Sequence, residues 1–95
     1  MRRKIEMKGI ITVVGKDKVG IIAKVCTFLS EENINILDIS QTIVQGYFNM
    51  MMIVDIKEAK SEFVEVVERI AKLGQEIGVD IRLQHQDIFD GMHRI

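Results

Sequence analysis

Two short runs in this chain are apolar at nearly every position: Ile10-Ile11-Thr12-Val13-Val14 and Met50-Met51-Met52-Ile53-Val54. Successive residues of a strand point to opposite faces, so a strand of this kind has to be covered on both sides. Such strands belong in the middle of a sheet. A chain of 95 residues makes one domain with one modest core. Two central strands therefore restrict the architecture to few forms once the other segments are read.

The first strand is predicted over residues 8–14 and ends in Gly15-Lys16-Asp17-Lys18-Val19-Gly20. Asp17 is predicted to cap the helix that follows, because its carboxylate can accept from the exposed N–H groups of a first turn. Over residues 18–31, Ile21, Ile22, Val25, Phe28 and Leu29 fall on one helical stripe. Asn33 can close that helix in the left-handed conformation. Residues 34–44 read as a strand whose alternation slips near Leu37, which predicts a bulge. Gln45-Gly46 then turns the chain into a hairpin with the run from Tyr47 to Ile56.

A second helix is predicted over 61–77, with Phe63, Val66, Val67, Ile70, Leu73 and Ile77 as its apolar stripe. Gly74 lies inside that pattern and predicts a loose last turn, and Gly78 fits the position just past the end. Residues 79–86 alternate, with Val79, Ile81 and Leu83 inward, as in an edge strand with one wet face. Asp87 would cap a last helical turn over 88–92. The order β-α-β-β-α-β predicts an α+β, ferredoxin-like sandwich: a four-stranded antiparallel sheet with two helices on one face. The domain spans 8–86, between a charged tail over 1–7 and a C-terminal extension over 87–95. Either Met1 or Met7 can be the natural start.

Helices on one face leave the other uncovered. Ile10 or Ile11 and part of Met50–Val54 would be exposed there, an unusual apolar patch for a monomer. A homodimer is expected to cover it, with Ile88, Phe89 and Met92 of the C-terminal extension contributing; the alternative is that the extension covers it alone.

Composition removes several classes of function. Thirteen basic and fourteen acidic side chains leave a net charge of −1, which argues against non-specific binding to nucleic acid or an anionic membrane. No run of 18 apolar residues is present to span a bilayer. The single cysteine, Cys26, forbids an internal disulfide, a C-x-x-C copper carrier and any multi-cysteine metal site. It lies near the first helical stripe and is expected to be buried and structural. A reducing, cytoplasmic location is expected. His85 and His93 do not stand at a metal-binding spacing and are read as surface residues. No catalytic triad or acid pair is identifiable, so the chain is expected not to be an enzyme and to need no cofactor or metal.

The loop from Gly15 to Ile22 carries the most chemistry. It joins a central strand to a helix start, where free N–H groups and the helix dipole favour an anion such as a carboxylate. Gly20 leaves room for a close approach. Asp17 would either cap the helix or pair with a ligand ammonium. A plain capped turn is the alternative. It is not a Walker loop, which needs Lys-Ser/Thr after the second glycine.

With Gly15-x-Asp17-x-x-Gly20-Ile21-Ile22 after the first strand and Asn33-Ile34-Asn35-Ile36-x-Asp38-Ile39 at the second, residues 8–86 resemble an ACT domain. ACT domains are small regulatory modules that bind amino acids. Gly15-Lys16-Asp17 together with Asp38-Ile39-Ser40-Gln41-Thr42 resembles, more narrowly, an uncharacterised bacterial family of free-standing, single-domain ACT proteins. Many ACT domains carry proline where Val19 stands here. The resemblance implies a site at a protomer interface, where the loop after the first strand meets the second strand of a neighbour. Asp17, Lys18, Val19, Gly20 and Ile21 would line it, with Asn35 from the second strand. Asn35 offers both a donor and an acceptor, which suits a zwitterion, though an ordinary exposed strand residue is the alternative. Asp38 and Gln41 are the next candidates. The expected function is a non-catalytic module that senses an amino acid or related small carboxylate at a homodimer interface. The alternative is an interaction module that docks a metabolic enzyme or regulator without a small ligand.

Overall fold

The computed structural model describes residues 7–16 and 20–85. The elements are β1 (Lys8–Lys16), α1 (Ile21–Glu31), β2 (Asn35–Val44), β3 (Tyr47–Asp55), α2 (Phe63–Ile77) and β4 (Asp80–His85). They build one antiparallel sheet in the order β2-β3-β1-β4. The two strands that are apolar on consecutive positions occupy its centre, as their burial demands, and the ferredoxin-like architecture is the one expected.

The core lies between the sheet and the helices. Ile11 and Val13 of β1 meet Phe48, Met50, Met52 and Val54 of β3 and Ile81 and Leu83 of β4. Ile21, Val25 and Leu29 of α1 and Val66 and Ile70 of α2 close it from above. Burying a Leu, Ile, Val or Met side chain contributes about 1.5–3 kcal/mol, so these stripes fix which way each helix faces. The hairpin between β2 and β3 turns through Gln45 and Gly46, both left-handed, the form that matches the natural twist of paired strands. The bulge sits where the alternation slips, between Ile36 and Asp38.

Three local expectations are corrected. The N-cap of α1 is Gly20, not Asp17, and it supplies no side-chain cap. Ile10 lies on the helix-free face, opposite Ile53 and Gln84, yet is only 4% exposed. Exposure on that face falls instead on Val14, Tyr47 and Met51. Gly74 does not loosen α2. It is buried, and a Cβ there would stand 2.7 Å from the carbonyl oxygen of Val79 and 2.9 Å from Ile81 Cγ1. The same backbone accepts a hydrogen bond from Val79 N–H at 2.8 Å, closing α2 onto β4. The absent side chain lets the chain reverse tightly.

The C-terminal turn over 88–92 and the tail proposed to cover the sheet lie outside the described residues. No helix among the described residues is long and apolar enough to cross a membrane.

Alanine at position 74 tests this reading. Helix propensity alone would make Gly74→Ala stabilising by about 1 kcal/mol. The clash with backbone should instead destabilise by about 1–3 kcal/mol, read as a lower urea midpoint. A higher midpoint would contradict the close approach.

A candidate ligand site in two halves

The first half is the start of α1. Gly20 takes φ 92°, a left-handed conformation that costs an L-residue with a side chain roughly 1–2 kcal/mol. Nothing stands within 4 Å of where its Cβ would be, so backbone geometry, not crowding, explains the glycine. The carbonyl of Gly20 accepts from Lys24 N–H at 3.0 Å and begins the helix ladder. The N–H groups of the first turn carry the positive end of the helix dipole. Ile21 contributes backbone only, because its side chain is in the core. Asp17, Lys18 and Val19 lie outside the described residues.

The second half lies beyond the other end of α1. The helix ends through Asn33, left-handed at φ 61°. Asn33 N–H donates to Ser30 O at 3.1 Å and Ile34 N–H to Leu29 O at 2.9 Å, which satisfies the last carbonyls of the helix. That reversal delivers Asn35, exposed, to the first position of β2 opposite Asp55. A cavity of about 510 Å³ opens there, within the size range of ligand clefts. Cys26, Leu29 and Ser30 of α1, residues Asn33 to Ile36, and Asp55 and Glu58 line it.

The loop after β3 is held against this cavity. The Asn33 amide donates to Glu58 O at 3.0 Å, and Lys60 N–H donates to Glu32 O at 2.9 Å. Arg69 of α2 donates at 2.8 Å to Glu32 Oε2 and at 2.8 Å to Ser61 Oγ. Glu32 is buried, and its Oε1 has no hydrogen-bond partner. Arg69 therefore neutralises a carboxylate that folding has taken out of water, and in doing so ties three segments together.

The residues expected to form the site are not brought together within one chain. Gly20 and Asn35 stand at opposite ends of the 11-residue α1, about 16 Å apart along its axis. Asp38 and Gln41 are exposed on β2, and Asp38 Oδ1 accepts from its neighbour Ile39 N–H at 2.8 Å. The sequence reading did not name Cys26, Ser30, Asp55 and Glu58 as lining residues, and took Asn33 as a helix end and as part of the family motif. Cys26 is half-buried on the cavity wall rather than sealed in the core. His85 is half-buried, with its ring edge-on to Phe63 at 5.7 Å between centroids. No group of three or more metal-ligating side chains occurs among the described residues.

Every residue of β2 is exposed, including Ile36, Leu37, Ile39, Ile43 and Val44. It is an edge strand of ten residues with one charge, Asp38. The opposite edge, β4, has six residues and carries Asp80, Arg82 and His85, with Arg82 and Asp80 paired at 3.3 Å. Short length and charge are how edges are kept from pairing with other chains. Among the described residues β4 carries both protections, whereas β2 has one charge and the bulge between Ile36 and Asp38.

Residues 9–84 match the model of the ACT domain family. The chain belongs to that family. A UPF0237 protein of Bifidobacterium longum is 61% identical over 88 residues, covering 93% of this chain and 98% of that one. The solved structure of an ACT domain protein from Streptococcus pneumoniae superposes with a TM-score of 0.78 at 44% identity, over 87% of this chain and 93% of that chain. The regulatory subunit of aspartate kinase from Thermus thermophilus, solved in a ligand-free form, matches with a TM-score of 0.61 at 26% identity. That match spans 83% of this chain and 50% of that one. The ACT architecture thus covers nearly the full length of its small relatives and half of a larger regulatory subunit.

Removing the Arg69 guanidinium should cost about 1–3 kcal/mol, since it strands a buried carboxylate. Arg69→Ala should lower the urea midpoint, whereas substituting exposed Lys72 on the same helix should leave it unchanged. An unchanged midpoint for Arg69→Ala would show that the pair does not bind the elements together.

Proposed function

We propose that this ACT module is a regulatory amino-acid sensor that works as a homodimer, with each ligand held between the helix start of one protomer and the Asn35 cavity of its partner. The observation that carries the proposal is the separation of the two halves across α1, combined with the open edge of β2.

The sheet register supports this arrangement. Lys16, at the end of β1 that leads towards α1, pairs with Tyr47, and Tyr47 pairs with Val44 at the end of β2. The helix start is therefore level with Val44, and the cavity is level with Asn35, at the other end of the same strand. Two β2 strands running antiparallel about a two-fold axis near Ser40 put Asn35 of one protomer beside Val44 of the other. The helix start of one chain then stands level with the cavity of its neighbour. The pairing would also satisfy the free backbone groups of the edge and cover Ile39 and Ile43.

A zwitterion suits the two halves. Helix N–H groups favour its carboxylate, and the Asn35 side chain can accept from its ammonium. Family membership and the aspartate kinase likeness favour a regulatory role. A protein strand from another partner could use the same edge without any ligand, and the test below separates the two.

A panel of the twenty amino acids should identify at least one that raises the melting temperature. A ligand at 100 times its dissociation constant adds about 2.7 kcal/mol, or roughly 10 °C or more for a domain of this size. Ile43→Lys places a charge on the pairing edge at a side chain 56% exposed, so the monomer should stay folded. That variant should sediment as a monomer and lose the ligand response. A panel with no effect would contradict the sensor reading, and a monomeric variant with full response would contradict the shared site.

A further inference from the structure

We infer that residues 86–95 act as a strap across one end of the helix-free face of the sheet, packing Ile88, Phe89 and Met92 over Ile10 and Ile53. The strap keeps a second copy of the chain from stacking on that face.

Alternation puts Ile10 and Val14 of β1 and Tyr47, Met51 and Ile53 of β3 on the face away from the helices. Val14 is flanked by Asn49 and Asp80, and Met51 by Thr12 and Ser40. With a strand on either side, Val14 is still 44% exposed and Met51 40%. Ile10 has flanks of the same kind, Ile53 and Gln84, yet is only 4% exposed. Ile53 beside it is half-buried. Flanking strands alone do not produce that contrast, so other atoms stand over Ile10. Both described helices close the core from the opposite face. Ile10 is buried within a single chain, so its cover belongs to that chain and not to a copy.

Three stretches lie outside the described residues. Residues 17–19 follow the far end of β1, about 20 Å from Ile10 along the strand. Residues 1–6 adjoin the right end of the sheet, but Arg2, Arg3, Lys4 and Glu6 are charged. Met7, which follows them, lines a cavity with Phe63 and Val66 of α2 on the helix side. Residues 86–95 continue from His85, which pairs with Gly9 next to Ile10. Ile88, Phe89 and Met92 have the i, i+1, i+4 spacing that gathers side chains on one side of a helical turn. Ile10 lies one strand in from β4 and Ile53 two, about 5 and 10 Å, whereas ten extended residues reach about 33 Å.

Bare, Ile10 and Ile53 would join Val14, Met51 and Tyr47 in one apolar patch of the kind that draws proteins together. The strap interrupts that patch and leaves β2 as the pairing edge. Only this last point rests on the dimer proposed above; the contact of the strap with Ile10 needs neither dimer nor ligand.

Isotope-edited NMR of the full chain tests the strap. Cross-peaks should run from the Phe89 ring to the methyl groups of Ile10 and Ile53. In a mixture of labelled and unlabelled chains, selecting for contacts between chains should remove them. Cross-peaks that survive that selection would place a second copy on the face, and cross-peaks to Ile10 from Ile5 in place of Phe89 would place the N-terminal residues there. Either result would overturn the inference, as would the absence of any cross-peak between Ile10 and residues 86–95. Phe89→Ala should lose the cross-peaks, lower the urea midpoint and shift sedimentation towards species larger than those of the parent protein. It should do so in the Ile43→Lys background as well, where pairing through β2 is blocked. A folded Phe89→Ala with unchanged sedimentation would overturn the guarding role. If Phe89→Ala fails to fold, the cross-peaks of the parent protein decide. An Ile43→Lys variant that remains a dimer would contradict the β2 pairing and leave the strap standing.

Discussion

Among the described residues the sheet carries helices on one face and a long, weakly charged edge strand, and the proposed dimer is built on that edge. Among the described residues β2 pairs with β3 alone, and all ten of its residues are exposed. Its outer backbone groups must find partners in water or in another strand. Natural sheets blunt such edges with charge, shortness or proline. β4 follows that rule, whereas the ten-residue β2 has one charge and one bulge. The contrast between two edges of one sheet is stronger than either edge alone, because the same chain shows both solutions.

In the proposed dimer, α1 links the edge strand to the two halves of the site. Its start is an uncluttered left-handed glycine that presents first-turn N–H groups. Its end is a left-handed asparagine that reverses the chain and delivers Asn35. An 11-residue helix between them keeps the anion-favouring start and the Asn35 end apart within one protomer. The Glu32–Arg69–Ser61 linkage then fixes the loop after β3 against the cavity. Burial of Glu32 gives this linkage its strength, since an exposed pair would contribute little.

Much of the fold was legible because it follows from periodicity. The central strands were readable from burial on both faces, the hairpin from Gln45-Gly46, the bulge from the phase slip at Leu37, and the end of α1 from Asn33. Gly74 was misread because local propensity knows nothing of Val79, which only the folded turn brings to within a Cβ's reach. Asp17 was misread as the cap because its chemistry is right for the role, whereas the chain starts its helix three residues later at Gly20. Gly20 was named from the loop pattern and Asn35 from the family resemblance, and the fold places them at the two ends of α1. The cavity was not legible, because Cys26, Asp55 and Glu58 come from separate elements and share no spacing. Ile10 shows the same limit: alternation assigns its face correctly, but burial depends on what surrounds it.

The claim beneath all of this is that two β2 strands lie side by side and antiparallel, each completing its neighbour's site. A nitroxide placed on a single cysteine at Ser40, in a Cys26→Ser background, measures it directly by dipolar coupling. Ser40 faces away from the helices and sits near the proposed two-fold axis, where paired strands lie about 5 Å apart. The account predicts strong coupling, with the two labels within roughly 15 Å once their tethers are allowed for. Labels that show no coupling, or that lie beyond about 30 Å, the length of the strand itself, would contradict it.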